Sequence, residues 1–584
     1  MKTKRRTFLK RLPAAVGAGL AAPIAVSAAE LQAQAPAAQP AGGVTAETLG
    51  VAQQIAGVSL PIEEREAART LVVRNLANIE AIRNVKIAPE VEPAFSFRPT
   101  LSRPDGTGPV SRNDAAGATA NRRGRAEDER PKKPAKIDLT PRPSNLQDLA
   151  FEPVWMLAER LRTKQVSSSE LTAMYLERLK RHDPALSCVV TLTEDLARQQ
   201  AADADREIKA GRYRGPLHGI PYGIKDLFSV KGYPTTWGAK PYAGQEFDYD
   251  ATAVTRLREA GAVLLGKLAT GELAVGDLWF RGRTRNPWKP ETGSSGSSAG
   301  PASATSAGLV GFAVGTETNG SIMSPASTCG VVGLRPSYGR VSRYGCMTLR
   351  WTLDKVGAIA RSVHDTALVL DAMRGPDEHD ETVSSVPFAW DGQHNVRGLK
   401  IGYVERDFAG TAPATRVLAA ALDVYRAAGA ELVRVTLPDI PAAAIYALLN
   451  AEAGAMFDEL VRSGGINELA DKGVNGRANQ LRASRFIPAV DYIRAQRART
   501  ILLQQMNELF GMIDTLLAPA SSDAVVIGNL TGHPAITVPA GFVDGLPVGL
   551  MVVGPLYQEQ RVLRVAAGFE AATDWHTKAP AGFA

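Results

Sequence analysis

The sequence predicts an α/β protein: a central mixed, twisted sheet with helices on both sides, preceded by a helical extension and a linker. Three observations predict it. Short apolar runs of strand length alternate with longer amphipathic segments through most of the chain, the pattern of helices layered on a sheet. The 584 residues, 45% hydrophobic and 22% charged, can bury a large core and match ordinary globular composition. The 54 glycines fit a chain with many tight turns and loops that approach a ligand closely.

Taken in order, Val44 to Ile87 reads as two helices, because Leu71, Val72, Leu76, Ile79 and Ile82 recur at helical spacing with charges between them. Residues 30–97 are therefore read as a helical extension. Residues 98–145 are rich in Pro, Gly and Ala with clustered Arg and Lys, too poor in apolar side chains to fold alone, and read as a linker. The body, 146–578, opens with Ser167 and Glu170 as a capping box for a helix through Arg181. A second helix covers Glu194 to Ala210. Gly219 to Lys225 reads as a short buried strand carrying a lysine. A helix over Asp250 to Ala260 precedes the strand Ala262 to Leu265. Leu399 to Val404, a helix near 414–428, and Glu431 to Val435 form a strand–helix–strand unit. Long helices are expected over 441–463 and 488–512.

The formal charge of +7 suggests a polyanion partner until the charges are located. Lys2, Lys4, Arg5, Arg6, Lys10 and Arg11 stand before any acidic residue, and 98–142 hold eleven Lys/Arg against six Asp/Glu. The remaining body is close to neutral, so no nucleic-acid partner is expected. Cys188, Cys329 and Cys346 make no disulfide framework and no zinc pattern, and the seven histidines form no spaced cluster, so neither metal nor cofactor is expected. Small buried cysteines are the plainer reading, with a Cys329–Cys346 pair left open.

Residues 1–29 have the layout of a signal peptide. Arg5 and Arg6 are followed by Thr7-Phe8-Leu9-Lys10, an Ala/Gly-rich run, and small residues at Ser27, Ala28 and Ala29. The segment resembles a twin-arginine (Tat) signal, which implies the Tat export machinery as a partner and a periplasmic or secreted protein. An uncleaved basic anchor is the alternative. No apolar run in the body reaches the roughly 18 residues of a membrane span, so no stable span is expected in the mature chain.

The densest chemical signal runs from Gly293 to Ser337. Gly293-Ser-Ser-Gly-Ser-Ser-Ala-Gly300 supplies hydroxyls and close backbone approach, and Gly315-Thr-Glu-Thr-Asn-Gly-Ser321 follows. A Gly/Ser run alone is more often a flexible loop. Here the apolar Gly308 to Val314 and the bracketing Pro325 and Pro336 argue against a linker.

Four stretches, in order, resemble the amidase signature family over residues 146–578. Gly215 to Asp226 resembles the strand that holds the family's lysine. Gly293 through Ser342 resembles the signature itself. Leu353 to Gly357 with Ala360 to Val363 resembles the segment after it, and Gly532 to Gly541 with Gly545 to Leu550 resembles the closing strands. The resemblance implies the amidase signature fold and a Ser–Ser–Lys triad: Ser321 as nucleophile, Lys225 as base and a serine between them. The loop offers Ser294, Ser295, Ser297 and Ser298 for that bridge, and counting back from Ser321 with Ala307-Gly308 in register selects Ser297. It also implies an oxyanion hole from the backbone N–H groups of Thr318, Asn319, Gly320 and Ser321. Asn319, Glu317 and Met323 depart from common family residues. Met323 replaces a frequent arginine and weakens any case for a carboxylate anchored there.

The set is chemically coherent, since a serine needs a base and a lysine serves as one only when burial keeps it neutral. Ile220, Ile224, Leu227 and Phe228 provide apolar surroundings. Gly296-Ser-Ser298-Ala-Gly300 also fits the nucleophile elbow of another hydrolase class, but Asn286 to Thr292 does not read as the strand that elbow requires. No S-x-x-K occurs. Lys267 reads as a surface or ligand-rim lysine, and His218 and His533 as structural or pocket-rim residues. The expected activity is hydrolysis of a small or peptide-terminal amide, releasing ammonia or an amine. An amidotransferase component of A type supplying ammonia, and a non-catalytic binding protein on the same scaffold, are the rivals. The sequence is silent on oligomeric state, and a homodimer is compatible with it.

Overall fold

The computed structural model describes residues 43–88, 91–94 and 139–584. The signal-peptide assignment to 1–29 and most of the linker, 98–138, lie outside the described residues.

Among the described residues, fifteen strands follow one another: β1 (Val189–Leu192), β2 (Pro221–Lys225), β3 (Val263–Leu268), β4 (Leu278–Trp279), β5 (Gly282–Arg283), β6 (Arg285–Asn286), β7 (Lys289–Gly293), β8 (Phe312–Glu317), β9 (Val332–Arg335), β10 (Lys355–Ala360), β11 (Lys400–Tyr403), β12 (Glu431–Arg434), β13 (Thr515–Pro519), β14 (Ala535–Val543) and β15 (Leu546–Val553). Eleven of them form one sheet in the order β1-β3-β2-β8-β10-β9-β14-β15-β13-β11-β12. The sheet is mixed. β2 runs parallel to β3 and β8, and β11 parallel to β12 and β13, while β8, β10, β9, β14, β15 and β13 pair antiparallel in succession. β2, β3, β8, β9 and β10 are buried at every residue, as strands covered on both faces must be. This is the predicted α/β class.

Local chemistry sets the elements as the sequence implied, with exceptions. Ser167 accepts from the Glu170 N–H and Glu170 reaches back to the Ser167 N–H, starting a helix over Ser168–Leu186. Helices over Glu194–Lys209, Thr252–Glu259, Pro413–Ala427 and Ala489–Met512 lie where their apolar periodicity put them. The single helix expected over 441–463 is instead three short ones, Ala442–Leu448, Asn450–Met456 and Asp458–Arg462. Tertiary bonds turn the chain there: Asn450 Nδ2 donates to the Gln480 carbonyl, and Glu452 accepts from Thr352. Residues 286–292 also differ from expectation, because β6 and β7 form a small hairpin there. It stands outside the central sheet, which keeps the elbow geometry excluded.

The extension forms two helices, Ala46–Ile55 and Ile62–Arg83. They are fastened to the body by Glu64 to Arg482 at 2.8 Å, by Arg83 to Asp491 at 3.2 Å, and by Arg494 donating to the Ile82, Arg83 and Val85 carbonyls. No helix among the described residues is long and apolar enough to cross a membrane.

Candidate active site

β2 and β8 are parallel neighbours, Ile224 facing Val314, so both end at the same edge of the sheet. Carboxyl ends of adjacent parallel strands are where α/β sheets present their chemistry. β2 ends on Lys225, and β8 leads within four residues to Ser321. The third piece, the Gly/Ser loop after β7, enters between them. The Ser298 N–H donates to the Ser321 carbonyl at 3.0 Å, which joins the loop to the turn after β8. Gly296 must be glycine, since a Cβ there would sit 1.9 Å from the Gly276 carbonyl oxygen.

Lys225 is fully buried. Its Nζ lies 2.8 Å from Ser297 Oγ, 3.1 Å from Ser298 Oγ and 2.8 Å from Thr316 Oγ1. All three are neutral oxygens. Burial pushes the ammonium down to about 7, against the smaller opposing pull of Cys346, Asp354 and Glu317. The structure thus brings Lys225 onto Ser297, the serine that register selects. Ser298 also touches Lys225, but its hydroxyl is engaged by the backbone of Thr316, donating to the carbonyl at 3.1 Å and accepting from the N–H at 3.2 Å. Ser294 and Ser295 point elsewhere: the Ser294 hydroxyl donates to the Ser295 carbonyl, and the Ser295 N–H donates to Asp277. Ser321 sits in the turn and is 8% exposed, against 1% for Ser297, so a substrate reaches it first.

The turn Thr318–Ser321 is held from below and from the side. Glu317 accepts from the Ile322 and Met323 N–H groups at 2.7 and 2.9 Å, from Arg335 at 2.7 Å and from Asn529 at 2.8 Å. Burial raises its carboxyl, but Arg335 and these donors outweigh that and leave it below the usual range. The Thr318 hydroxyl donates to Asp354 at 2.6 Å. Gly320 has φ +83°, a left-handed conformation that glycine adopts freely. Among the described residues, nothing accepts a hydrogen bond from the N–H groups of Asn319, Gly320 or Ser321. These are donors available to a developing negative charge.

Sequence reasoning missed Thr316 as a partner of Lys225, and the Glu317–Arg335–Asn529 and Thr318–Asp354 supports. Long-range pairings of this kind leave no local pattern. Lys267 corrects the reading of a surface or rim residue. It is fully buried, 2.7 Å from Asp226 and bonded to the Pro234 carbonyl and Thr235 Oγ1. Burial lowers its pKa while Asp226 opposes that, so it braces the loop beside Lys225. His218 and His533 are buried, the first accepting from the Arg214 N–H and the second set against Thr531. The three cysteines are free. A groove of about 970 Å³ lies at the carboxyl ends of β11 and β12, lined by Val404, Arg434, Leu437, Leu509 and Met512 among others. It includes none of the candidate catalytic residues, so groove size alone does not find the chemistry.

Comparison with known proteins agrees with this geometry. A family model described as Amidase matches residues 170–528 and 520–563. The A component of glutamyl-tRNA(Gln) amidotransferase from Methylococcus capsulatus is 36% identical over 478 residues, covering 73% of this chain and 98% of that protein. Its counterpart in Geobacter metallireducens is 38% identical over 477 residues, covering 72% and 97%. The native peptide amidase of Stenotrophomonas maltophilia superposes with a TM-score of 0.65 at 31% identity, covering 73% and 98%. The chain belongs to the amidase signature family and is an enzyme, a hydrolase acting on an amide C–N bond.

Proposed function

We propose that the chain cleaves a carboxamide through an acyl-enzyme, with Ser321 as nucleophile, Ser297 as proton relay and Lys225 as base. The observation that carries this reading is the buried Lys225, poised near neutrality 2.8 Å from Ser297 Oγ with no carboxylate on its Nζ among the described residues. Neutral Lys225 takes the Ser297 proton while Ser297 takes that of Ser321, and Ser321 Oγ attacks the amide carbon. The N–H groups of Thr318 to Ser321 form the oxyanion hole, a contribution of about 3–4 kcal/mol per donor in well-studied hydrolases. As the C–N bond breaks, the relay returns a proton to the leaving nitrogen, and water then releases the acid. Ammonia release from simple aliphatic, aromatic and peptide amides tests this. Loss of that activity in Ser321→Ala is expected, and activity near wild-type level in that variant would overturn the assignment.

A second reading, an amidotransferase component that supplies ammonia, is favoured by the curated relatives. The two amidotransferase proteins are 36 and 38% identical to this chain over nearly their whole length, against 31% for the peptide amidase. It stands second because residues 1–29 resemble an export signal, and we retain export to the periplasm or exterior as part of the proposal. Cell fractionation with native mass measurement separates the two. A cytoplasmic hetero-oligomer supports the amidotransferase; a processed, exported chain free of other polypeptides supports the free-standing amidase.

A further inference from the structure

The loop that carries Ser297 is anchored by a carboxylate outside the candidate triad. Asp277 is 7% exposed and stands just before β4, with Arg283 at the end of β5, its hairpin partner. Asp277 Oδ1 accepts from Arg283 Nη1 at 2.6 Å, and Asp277 Oδ2 accepts from the Ser295 N–H at 3.2 Å. The Asp277 carbonyl accepts from the Thr284 N–H at 3.0 Å, and the Thr284 carbonyl accepts from the Ser294 N–H at 3.0 Å. The fit is close. A Cβ on Gly293 would stand 2.0 Å from Asp277 Oδ2, and one on Gly296 would stand 3.3 Å from the Asp277 amide nitrogen. Backbone and side chain of Asp277 thus both face the segment that leads into Ser297.

That segment needs an anchor. Gly293 and Gly296 flank Ser294 and Ser295, and glycine gives the chain freedom that folding must remove. Ser295 has φ +60°, a left-handed conformation that costs a non-glycine residue free energy and persists only where its surroundings hold it. The Asp277 carboxylate holds it through a charge-assisted bond to the Ser295 N–H, stronger than a neutral one. A carboxylate is costly to bury, and Arg283 supplies the opposing charge. The Ser294 hydroxyl gives no outward anchor, since it donates to the adjacent Ser295 carbonyl. Two residues after Ser295, Ser297 Oγ meets Lys225 Nζ at 2.8 Å. A misplacement of about 1 Å at such a contact can cost roughly 10²-fold in rate.

We infer that Asp277 is a positioning residue for the proton relay, holding the Ser295 amide, with Arg283 behind it, so that Ser297 stays on Lys225. The inference rests on Ser297 as the relay of the proposed function. Its consequence is specific to amides. When the tetrahedral intermediate collapses, the C–N bond breaks with its electron pair on nitrogen. The nitrogen takes the Ser297 proton, and Ser297 takes one from the Lys225 ammonium. A p-nitrophenyl ester needs no such delivery, because p-nitrophenolate leaves as a stable anion. A displaced Ser297 therefore slows amides more than such esters, whereas general loosening of the fold slows both alike.

The test measures kcat and KM of the full chain for two substrates of one acid. The first is the amide that the wild type turns over fastest among simple aliphatic, aromatic and peptide amides; the second is the p-nitrophenyl ester of the same acid. Asp277→Leu removes the acceptor. It is expected to lower the amide-to-ester ratio of kcat/KM at least tenfold, with the loss on the amide falling on kcat. Asp277→Asn keeps an acceptor for the Ser295 N–H and is expected to restore the ratio to within threefold of the wild type. Arg283→Met acts from the surface, where the Arg283 side chain is 47% exposed, and is expected to lower the ratio at least threefold. It decides the matter if Asp277→Leu does not fold. Equal losses on amide and ester, an unchanged ratio in the deciding variant, or no recovery in Asp277→Asn overturns the inference. Failure of the proposed function is separate: the wild type would then leave Ser321 unlabelled by a fluorophosphonate, whatever the variants do.

Discussion

At the residue scale the account turns on the proton of Lys225. With a pKa lowered by burial to about 7, its neutral form is the minor species below that pH and the major one above. We expect kcat/KM for a neutral amide to climb through pH 7 and level off, where an unperturbed lysine would place the rise near 10. Lys225→Ala is expected to lower kcat by roughly 10²–10⁴ while the fold survives, read by kinetics alongside circular dichroism. The same shift has a stability consequence. Between pH 7 and the unfolded value of 10.5 the unfolded chain binds the extra proton, so this group makes stability rise with pH across that window. Below pH 7 the full cost of the buried ammonium is present. Lys225→Met is therefore expected to raise the melting temperature at pH 6 and to matter less at pH 10. The Lys225–Ser297 contact was legible because each residue stands in a short motif at fixed spacing. Lys267 was misread because its burial comes from Asp226 and the 234–235 loop, which meet it only in the fold.

At the scale of elements, the turn after β8 depends on groups that the chain brings from far away. Glu317 is the hub, with Arg335 from β9 and Asn529 from the Asp523–Thr531 helix on one oxygen and the amides after Ser321 on the other. Glu317→Ala leaves Arg335 as an uncompensated buried charge and is expected to cost about 3–5 kcal/mol in urea denaturation. The Ser167 cap is worth less: Ser167→Ala is expected to cost about 0.5–2 kcal/mol with catalysis unchanged. Element identity was readable where one periodicity ran uninterrupted, as in Ala489–Met512. It failed over 441–463, where the apolar pattern continues but Asn450 and Glu452 are drawn into tertiary bonds that break the helix. The β6–β7 hairpin was missed because two prolines in a mostly polar sequence carry no strand signature.

At the scale of the molecule, the mixed sheet explains why the chemistry is assembled from separate segments, with Ser297 and Ser321 standing 72 and 96 residues beyond Lys225. Two parallel strands end side by side, and a loop after a hairpin is threaded between their ends. The class of sheet was legible from alternating apolar runs; its strand order was not, because pairing partners such as β9 and β14 lie some 200 residues apart and no local pattern names them. The family was legible because four motifs occur in one order. The substrate was not, because segments such as 235–242 and 441–500 carry no motif.

The most direct measurement of the central claim is the site and rate of fluorophosphonate labelling, mapped by peptide mass spectrometry in the wild type and in Lys225→Ala. The account predicts a single adduct on Ser321, formed faster as pH rises through about 7, and at least a hundredfold slower in Lys225→Ala. An adduct on any other serine, or labelling of Ser321 at an unchanged rate without Lys225, would contradict it.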